Sequence, residues 1–143
     1  MVKIVIQFTE MPDFDDPKSM IRWFCVAFGL CGMEGGGIEE KILSKFTETA
    51  SGGEGITSSE LKEEIDLSRS TVIYHLNRFI DSGLVVKRGR KYYLRASEMH
   101  KAIEEIEYDI EREMKRMMDI AMEFDRIMEM RTRKARKKGV LHE

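Results

Sequence analysis

The spacing of apolar residues predicts five helices and a β-hairpin. The first eight residues alternate loosely between apolar and polar side chains, and we expect a short strand there. Asp16 and Pro17 have the residue types of a helix start, and the helix that follows is apolar around most of its circumference. From Ile38 onward, apolar residues recur every three or four positions, which predicts an amphipathic helix of about a dozen residues.

Two further helices and the hairpin follow. Residues 57–60, Thr-Ser-Ser-Glu, match a capping box and predict the start of a short helix. After a brief turn, Ser68 is a natural cap for a third helix, which Gly83 ends. The β-prone runs 84–88 and 91–95 are separated by Gly-Arg, which is hairpin spacing with a glycine available for positive φ.

A long helix is expected from Ser97 to about Met130, with apolar residues at heptad-like steps and one stutter. Thirty-odd residues would form a rod of about 50 Å, longer than a compact domain of this size, at roughly 35 Å. Its distal half therefore needs a partner, most simply the same helix of a second subunit in a coiled-coil homodimer. The alternative is a helix that folds back on the N-terminal helix. The predicted dimer interface consists of Ile103, Ile106, Ile110, Met114, Met117, Ala121, Phe124 and Met128.

This order of elements predicts a mainly α fold with a small β-hairpin: a winged helix-turn-helix domain with a long C-terminal dimerisation helix. Four regions result. Residues 1–37 form an N-terminal extension with a strand and an apolar helix, and residues 38–96 form the winged helix-turn-helix. Residues 97–130 form the dimerisation helix, and residues 131–143 form a basic tail, helical or frayed.

The charges are sorted along the chain, although the formal net charge is only −2. Residues 67–95 contain seven basic residues and one acidic residue, whereas the segments on either side are acidic. Such a basic block indicates an anionic partner, most simply nucleic acid. The acidic flanks favour an alternative, in which a winged-helix interaction module docks an acidic protein without specific DNA binding.

The third helix and the hairpin supply the candidate DNA contacts. Val72, Leu76 and Phe79 share one face of the helix, and polar side chains occupy the other. Hydroxyl, amide and guanidinium groups at a helix start can bind phosphate and base edges. The predicted recognition contacts are Ser68, Arg69, Ser70, Thr71, Tyr74, Asn77 and Arg78. The predicted wing contacts are Lys87, Arg88, Arg90 and Lys91, unless these charges only protect an edge hairpin from aggregation.

Residues 68–85, SRSTVIYHLNRFIDSGLV, resemble the recognition helix and first wing strand of ArsR-type winged-helix regulators of bacteria and archaea. The shared pattern is a serine cap, a Thr-Val pair, a His-Leu pair and a closing Gly-Leu-Val, and the resemblance covers about residues 38–95. It implies a prokaryotic, homodimeric transcription factor that reads double-stranded DNA at a near-palindromic operator. The Cys-x-Cys and carboxylate–histidine motifs of metal-sensing members are missing, so the effector stays open.

The sequence gives only weak signals of metal binding, catalysis or an effector. Cys25 and Cys31 are six residues apart, whereas metal ligands usually lie two to four apart, so we expect core cysteines and no metal or other cofactor. His75 lies at the border of the core face and could be structural or touch phosphate. No nucleophile–base pair can be placed in one site, so catalysis is not expected. A small-molecule effector between the N-terminal helix and the methionine-rich long helix remains a hypothesis. We find no signal peptide or membrane span, and expect a cytoplasmic protein.

Overall fold

The computed structural model describes residues 3–32 and 37–139. It is mainly helical with one small antiparallel sheet, and the predicted fold class is confirmed. The chain divides into two compact units, the first ending at Ile106 and the second beginning at Glu107. In chain order, the elements are α1 (Pro17–Ala27), α2 (Gly37–Ala50), β1 (Ile56–Thr57), α3 (Ser58–Ile65), α4 (Arg69–Ser82), β2 (Val85–Arg88), β3 (Lys91–Leu94) and α5 (Met99–Lys137).

The ends of α3 and α4 are set by residues that satisfy exposed backbone groups. The Thr57 hydroxyl accepts from the amide three residues on at 3.1 Å and starts α3, and Asp66 ends that helix in the left-handed region with φ 56°. Ser68 caps α4 in the same way at 3.3 Å, and Gly83 ends it with φ 88°. The helix ends at Thr57, Ser68 and Gly83 are those that the sequence predicts.

The sheet has the strand order β1-β3-β2, and all its pairs are antiparallel. The predicted hairpin is confirmed as β2 and β3, and Gly89 takes the positive φ that its turn requires. The two-residue β1 pairs Ile56 with Tyr92 and was not predicted, because two residues carry no periodicity. Gly55 permits this pairing, since a Cβ there would lie 2.6 Å from the Tyr93 ring.

The core of the first unit gathers side chains from both helices and sheet. Phe46 and Phe79 meet at a ring-centroid distance of 6.1 Å near its centre. The beginning of α5 belongs to the same core, because Ile106 is 2% exposed and lies against Gly83. Among the described residues, the other large side chains that are fully buried are Cys25, Ile42, Leu43, Ile56, Leu61, Val72, Leu76, Leu84 and Val85.

The N-terminal segment differs from the prediction. Residues 3–12 form no strand; two isolated backbone bonds hold them to helix ends, and the Trp23 ring nitrogen donates to the Glu10 carbonyl at 2.7 Å. The Lys3 amide donates to the Asp81 carbonyl at 3.0 Å, and the Gln7 amide donates to the Ala27 carbonyl at 2.7 Å. A helix end offers single carbonyls instead of the row of donors and acceptors along a strand edge. No ladder can therefore form at these contacts.

Of the two helices outside the helix-turn-helix, α5 is longer than predicted. The first ends at Ala27, where the chain turns at Gly29 with φ 68°. Helix α5 continues past Met130 to Lys137, so much of the predicted basic tail is helical. Cations are favourable in the last turn of a helix, because they face the negative end of its dipole. Lys138 and Gly139 form a turn after the helix, and residues 140–143 of the tail lie outside the described residues.

Candidate nucleic-acid interface

Helix α4 has a buried apolar face and an exposed polar face. Val72, Leu76 and Phe79 are each 0% exposed, which confirms the predicted core face. The exposed face carries Ser70, Tyr74, Asn77 and Asp81. Only the last of these is acidic, and it lies in the final turn. The first three turns of α4 therefore present hydrogen-bonding groups without negative charge.

The start of α4 is surrounded by hydroxyl groups and one exposed guanidinium. The Ser68 hydroxyl lies 2.7 Å from that of Thr71 and 3.3 Å from that of Ser70. Arg69 is exposed, and within the described residues no carboxylate forms an ion pair with it. This end also carries the positive pole of the helix dipole. The arrangement has the polarity required for a phosphate group.

Arg78, which sequence reasoning grouped with the groove contacts, is bound within the first unit. Its Nη2 donates to the Gly29 carbonyl at 2.8 Å, and its Nη1 lies 3.8 Å from Glu39 Oε1. Its guanidinium also lies 5.9 Å from the centre of the Tyr74 ring. To reach a base edge, Arg78 would have to leave these partners. In this structure it ties α4 to the end of α1 and the start of α2.

His75 belongs to the core side of α4. It is 7% exposed, and its Nδ1 lies 3.5 Å from Glu39 Oε1 without forming a hydrogen bond. Of the two roles left open by the sequence, this burial favours the structural one, because phosphate contact requires an exposed ring nitrogen. Glu39 thus faces both Arg78 and His75. The sequence could not reveal this. Glu39 lies in the first turn of α2, where acidic residues are common because they face the positive end of the helix dipole.

The wing turn carries four exposed basic side chains, Lys87, Arg88, Arg90 and Lys91. Lys87 Nζ lies 5.5 Å from the centre of the Tyr92 ring, and the Arg88 guanidinium lies 5.6 Å from that of Tyr93. In residues 3–32 and 37–139, none of the four forms an ion pair with a carboxylate.

Repulsion within the wing favours a bound anion. Arg88 and Lys91 are paired directly across the two strands, and like charges at such positions are destabilising. Aromatic rings beneath two of the cations fix their position without neutralising them. A phosphate backbone would supply the missing negative charge.

The predicted dimer residues fall into two groups. Ile103 and Ile110 are half-buried, and Ile106 is buried within the single chain. The remaining members are exposed in the second unit: Met114, Met117, Ala121, Phe124 and Met128. Ile106 is therefore part of the core of the first unit. A dimer face would begin beyond it.

The described residues show neither a metal site nor a membrane span. They contain no group of three or more histidine, cysteine or carboxylate side chains placed to hold a metal ion. Among the helices of residues 3–32 and 37–139, none combines the length and the hydrophobicity needed to cross a bilayer.

Comparison with known proteins identifies the class of the domain. Residues 41–88 match the family model of a helix-turn-helix domain, over about a third of the chain. The match spans most of α2 and all of α3, α4 and β2, and leaves out α1, β3 and α5. Neither the comparison with curated proteins nor that with solved structures gives a match. The chain thus contains a helix-turn-helix domain, a kind typical of DNA-binding regulators.

Proposed function

We propose that the protein is a sequence-specific, double-stranded DNA-binding transcription regulator that acts as a homodimer. The observation that carries the proposal is the polar exposed face of α4 together with four basic wing side chains that form no ion pair among the described residues. The helix presents base-reading groups, and the wing presents phosphate-binding groups. This division of contacts is how helix-turn-helix proteins combine specificity with affinity.

In this proposal α4 enters the major groove with its first three turns. Ser70, Tyr74 and Asn77 lie on the exposed face, and asparagine can pair with adenine through two hydrogen bonds. Ser68, Arg69 and Thr71, at the helix start, contact phosphate. Arg78 acts through its bonds to α1 and α2, which fix the angle of α4. We therefore assign Arg78 the role of a positioning residue.

The wing contacts the sugar–phosphate backbone or the minor groove. Lys87, Arg88, Arg90 and Lys91 extend from a short hairpin, and the rings of Tyr92 and Tyr93 support two of them. Each phosphate that a cation neutralises releases counterions, so binding depends strongly on salt. The wing is expected to add affinity on every duplex and little preference among sequences.

The second copy of the chain covers the distal part of α5. Nine large apolar side chains from Met114 to Met130 are at least 40% exposed, which is unusual for a stable monomer. Charged side chains of the helix pair with one another outside the row of apolar residues, as in Glu113–Arg116 at 2.8 Å and Glu129–Arg133 at 2.7 Å. The segment Glu107–Lys137 is about 47 Å long. A parallel or antiparallel pair of such helices provides the extent that a stable dimer requires.

Fluorescence anisotropy with duplex DNA at several salt concentrations tests the proposal. Sites selected from a random DNA pool should bind far more tightly than unselected duplex, and affinity should fall steeply as salt rises. Arg90→Ala should weaken binding to all duplexes and reduce the salt slope by about 1. Arg112→Ala is the matched control, because that exposed arginine is paired with Asp109 in the second unit.

Two outcomes would contradict the proposal. Weak binding that does not change with salt concentration would exclude nucleic acid as the partner and favour the alternative interaction module. Equal effects of Arg90→Ala and Arg112→Ala would show that the wing has no special contact with DNA.

A further inference from the structure

The end of α1 places the two cysteines side by side. The Gly29 amide donates to the Val26 carbonyl at 3.0 Å, and the Leu30 amide donates to the Cys25 carbonyl at 2.8 Å. With Gly29 in the left-handed region, these two bonds form a Schellman motif. The motif folds the chain back on the helix, and the Cys31 amide also reaches the Cys25 carbonyl, at 3.3 Å.

The backbone bond from Cys31 to Cys25 brings the two residues together, and neither forms a disulfide. Cys25 is 0% exposed, whereas Cys31 is half-buried. Burial, with smaller contributions from Cys31, Glu40 and Glu39, raises the pKa of the Cys25 thiol well above its usual value. Cys31 is therefore the thiol that an external reagent reaches first.

The turn that joins the two cysteines also holds the recognition helix. Gly29 lies between them in the chain, and its carbonyl accepts the bond of 2.8 Å from Arg78 of α4. Glu39, which lies near Arg78 and His75, also acts on the charge of the Cys25 thiol. A disulfide between the cysteines would therefore enclose Gly29, whose carbonyl binds Arg78 in the helix that we place in the major groove.

We propose that Cys25 and Cys31 form a reversible intrachain disulfide on reaction with a low-molecular-weight disulfide, and that this oxidation weakens DNA binding by releasing Arg78 from Gly29. The second half of this statement rests on the proposed function. The first half concerns the thiol pair alone.

The reaction proceeds in two exchange steps. The Cys31 thiolate attacks one sulfur of the small disulfide, and a mixed disulfide forms as one small thiolate leaves. Cys25 then loses its proton and attacks the Cys31 sulfur, which releases the second small thiolate. The two protons lost by the cysteines pass to the two released thiolates. The protein pair is oxidised by two electrons, and the small disulfide is reduced to two thiols.

In this proposal, closure of the bond moves the turn. The two sulfurs have to come to about 2.05 Å, with a dihedral near 90° across the bond. Cys25 is fixed within α1, whereas Cys31 follows the turn, so the proposed movement falls on the residues between them and strains the three backbone bonds to Cys25 and Val26. Gly29 is one of these residues, and its carbonyl is the acceptor for Arg78. Displacement of this carbonyl frees α4 at the point where it is anchored to α1.

Mass spectrometry of the full chain after treatment with glutathione disulfide tests the site. We expect a loss of two hydrogens, a peptide that links residues 25 and 31, and full reversal by dithiothreitol. Cys31→Ser should not form the link, and Cys25→Ala should retain one glutathione on Cys31. Persistent glutathione on the wild-type protein, a disulfide between two chains, or no reaction would overturn the proposed site.

Anisotropy titration of the same samples with a selected duplex tests the regulation. Oxidation should weaken binding by about tenfold, the scale of one charge-assisted hydrogen bond, and Cys31→Ser should be insensitive to the oxidant. If the disulfide forms and affinity stays the same, the coupling through Arg78 is wrong. If the reduced protein binds no duplex at all, the proposed function fails, while the mass-spectrometric result still decides the thiol pair.

Discussion

The two ends of α5 share one spacing of apolar residues but differ in what surrounds it. Ala102 and Ile106 are 0% and 2% exposed, whereas Met117 and Phe124 are 54% and 59% exposed. The periodicity of a helix therefore identifies a face that has to be covered. It does not say whether the same chain or another one covers it.

The basic residues of the first unit show the same contrast. Arg78 is bonded to a carbonyl and lies near a carboxylate. Arg90 is exposed and lacks an ion-pair partner among the described residues. Residue type and position alone made both of them candidate DNA contacts. Only the exposed one can bind phosphate without a loss to the fold.

The largest effect is expected where α5 enters the core. Ile106→Ala should lower the free energy of unfolding by about 2–5 kcal/mol, because it removes buried methyl groups and leaves a cavity beside Gly83. Tyr108→Ala, two residues further on and 55% exposed, should change it by less than about 0.5 kcal/mol. Urea denaturation of both variants measures this difference. Equal stabilities would mean that α5 is not part of the core at Ile106.

A second effect concerns the distal part of α5 alone. Phe124→Asp places a charge in the middle of the proposed dimer face, so sedimentation should show a monomer that keeps the near-ultraviolet spectrum of a folded first unit. Affinity for a two-fold DNA site should fall by about 100-fold, because the monomer brings one DNA-binding domain to the site instead of two linked ones.

The matched control for this variant is Tyr108→Asp, which replaces an equally exposed aromatic side chain. By helical spacing, Tyr108 lies nearly opposite the Phe124 stripe. A dimer that survives Phe124→Asp, or dissociates equally with Tyr108→Asp, would contradict the proposed interface.

The sequence predicted those parts of the fold that local chemistry determines. Thr57, Ser68 and Gly83 marked helix ends because cap residues act on amides and carbonyls a few positions away. It did not predict β1, or the missing N-terminal strand, since both depend on which distant element lies alongside. The same limit applies to the candidate site. The exposed face of α4 followed from helical spacing, but the anchoring of Arg78 by Gly29 joins residues 49 positions apart.

The smallest of these effects separates an anchoring arginine from a contacting one. Arg78→Ala should lower the free energy of unfolding by about 1–3 kcal/mol, because the Gly29 carbonyl loses its charged donor. Arg69→Ala should leave stability within about 0.5 kcal/mol of the wild type, since Arg69 is exposed and unpaired in the described part of the chain. On DNA the order reverses. Arg69→Ala should reduce the salt slope by about 1, whereas Arg78→Ala should weaken binding without changing that slope. A stable Arg78→Ala protein that loses discrimination among duplexes would instead assign Arg78 to the bases, as its position on the helix first indicated.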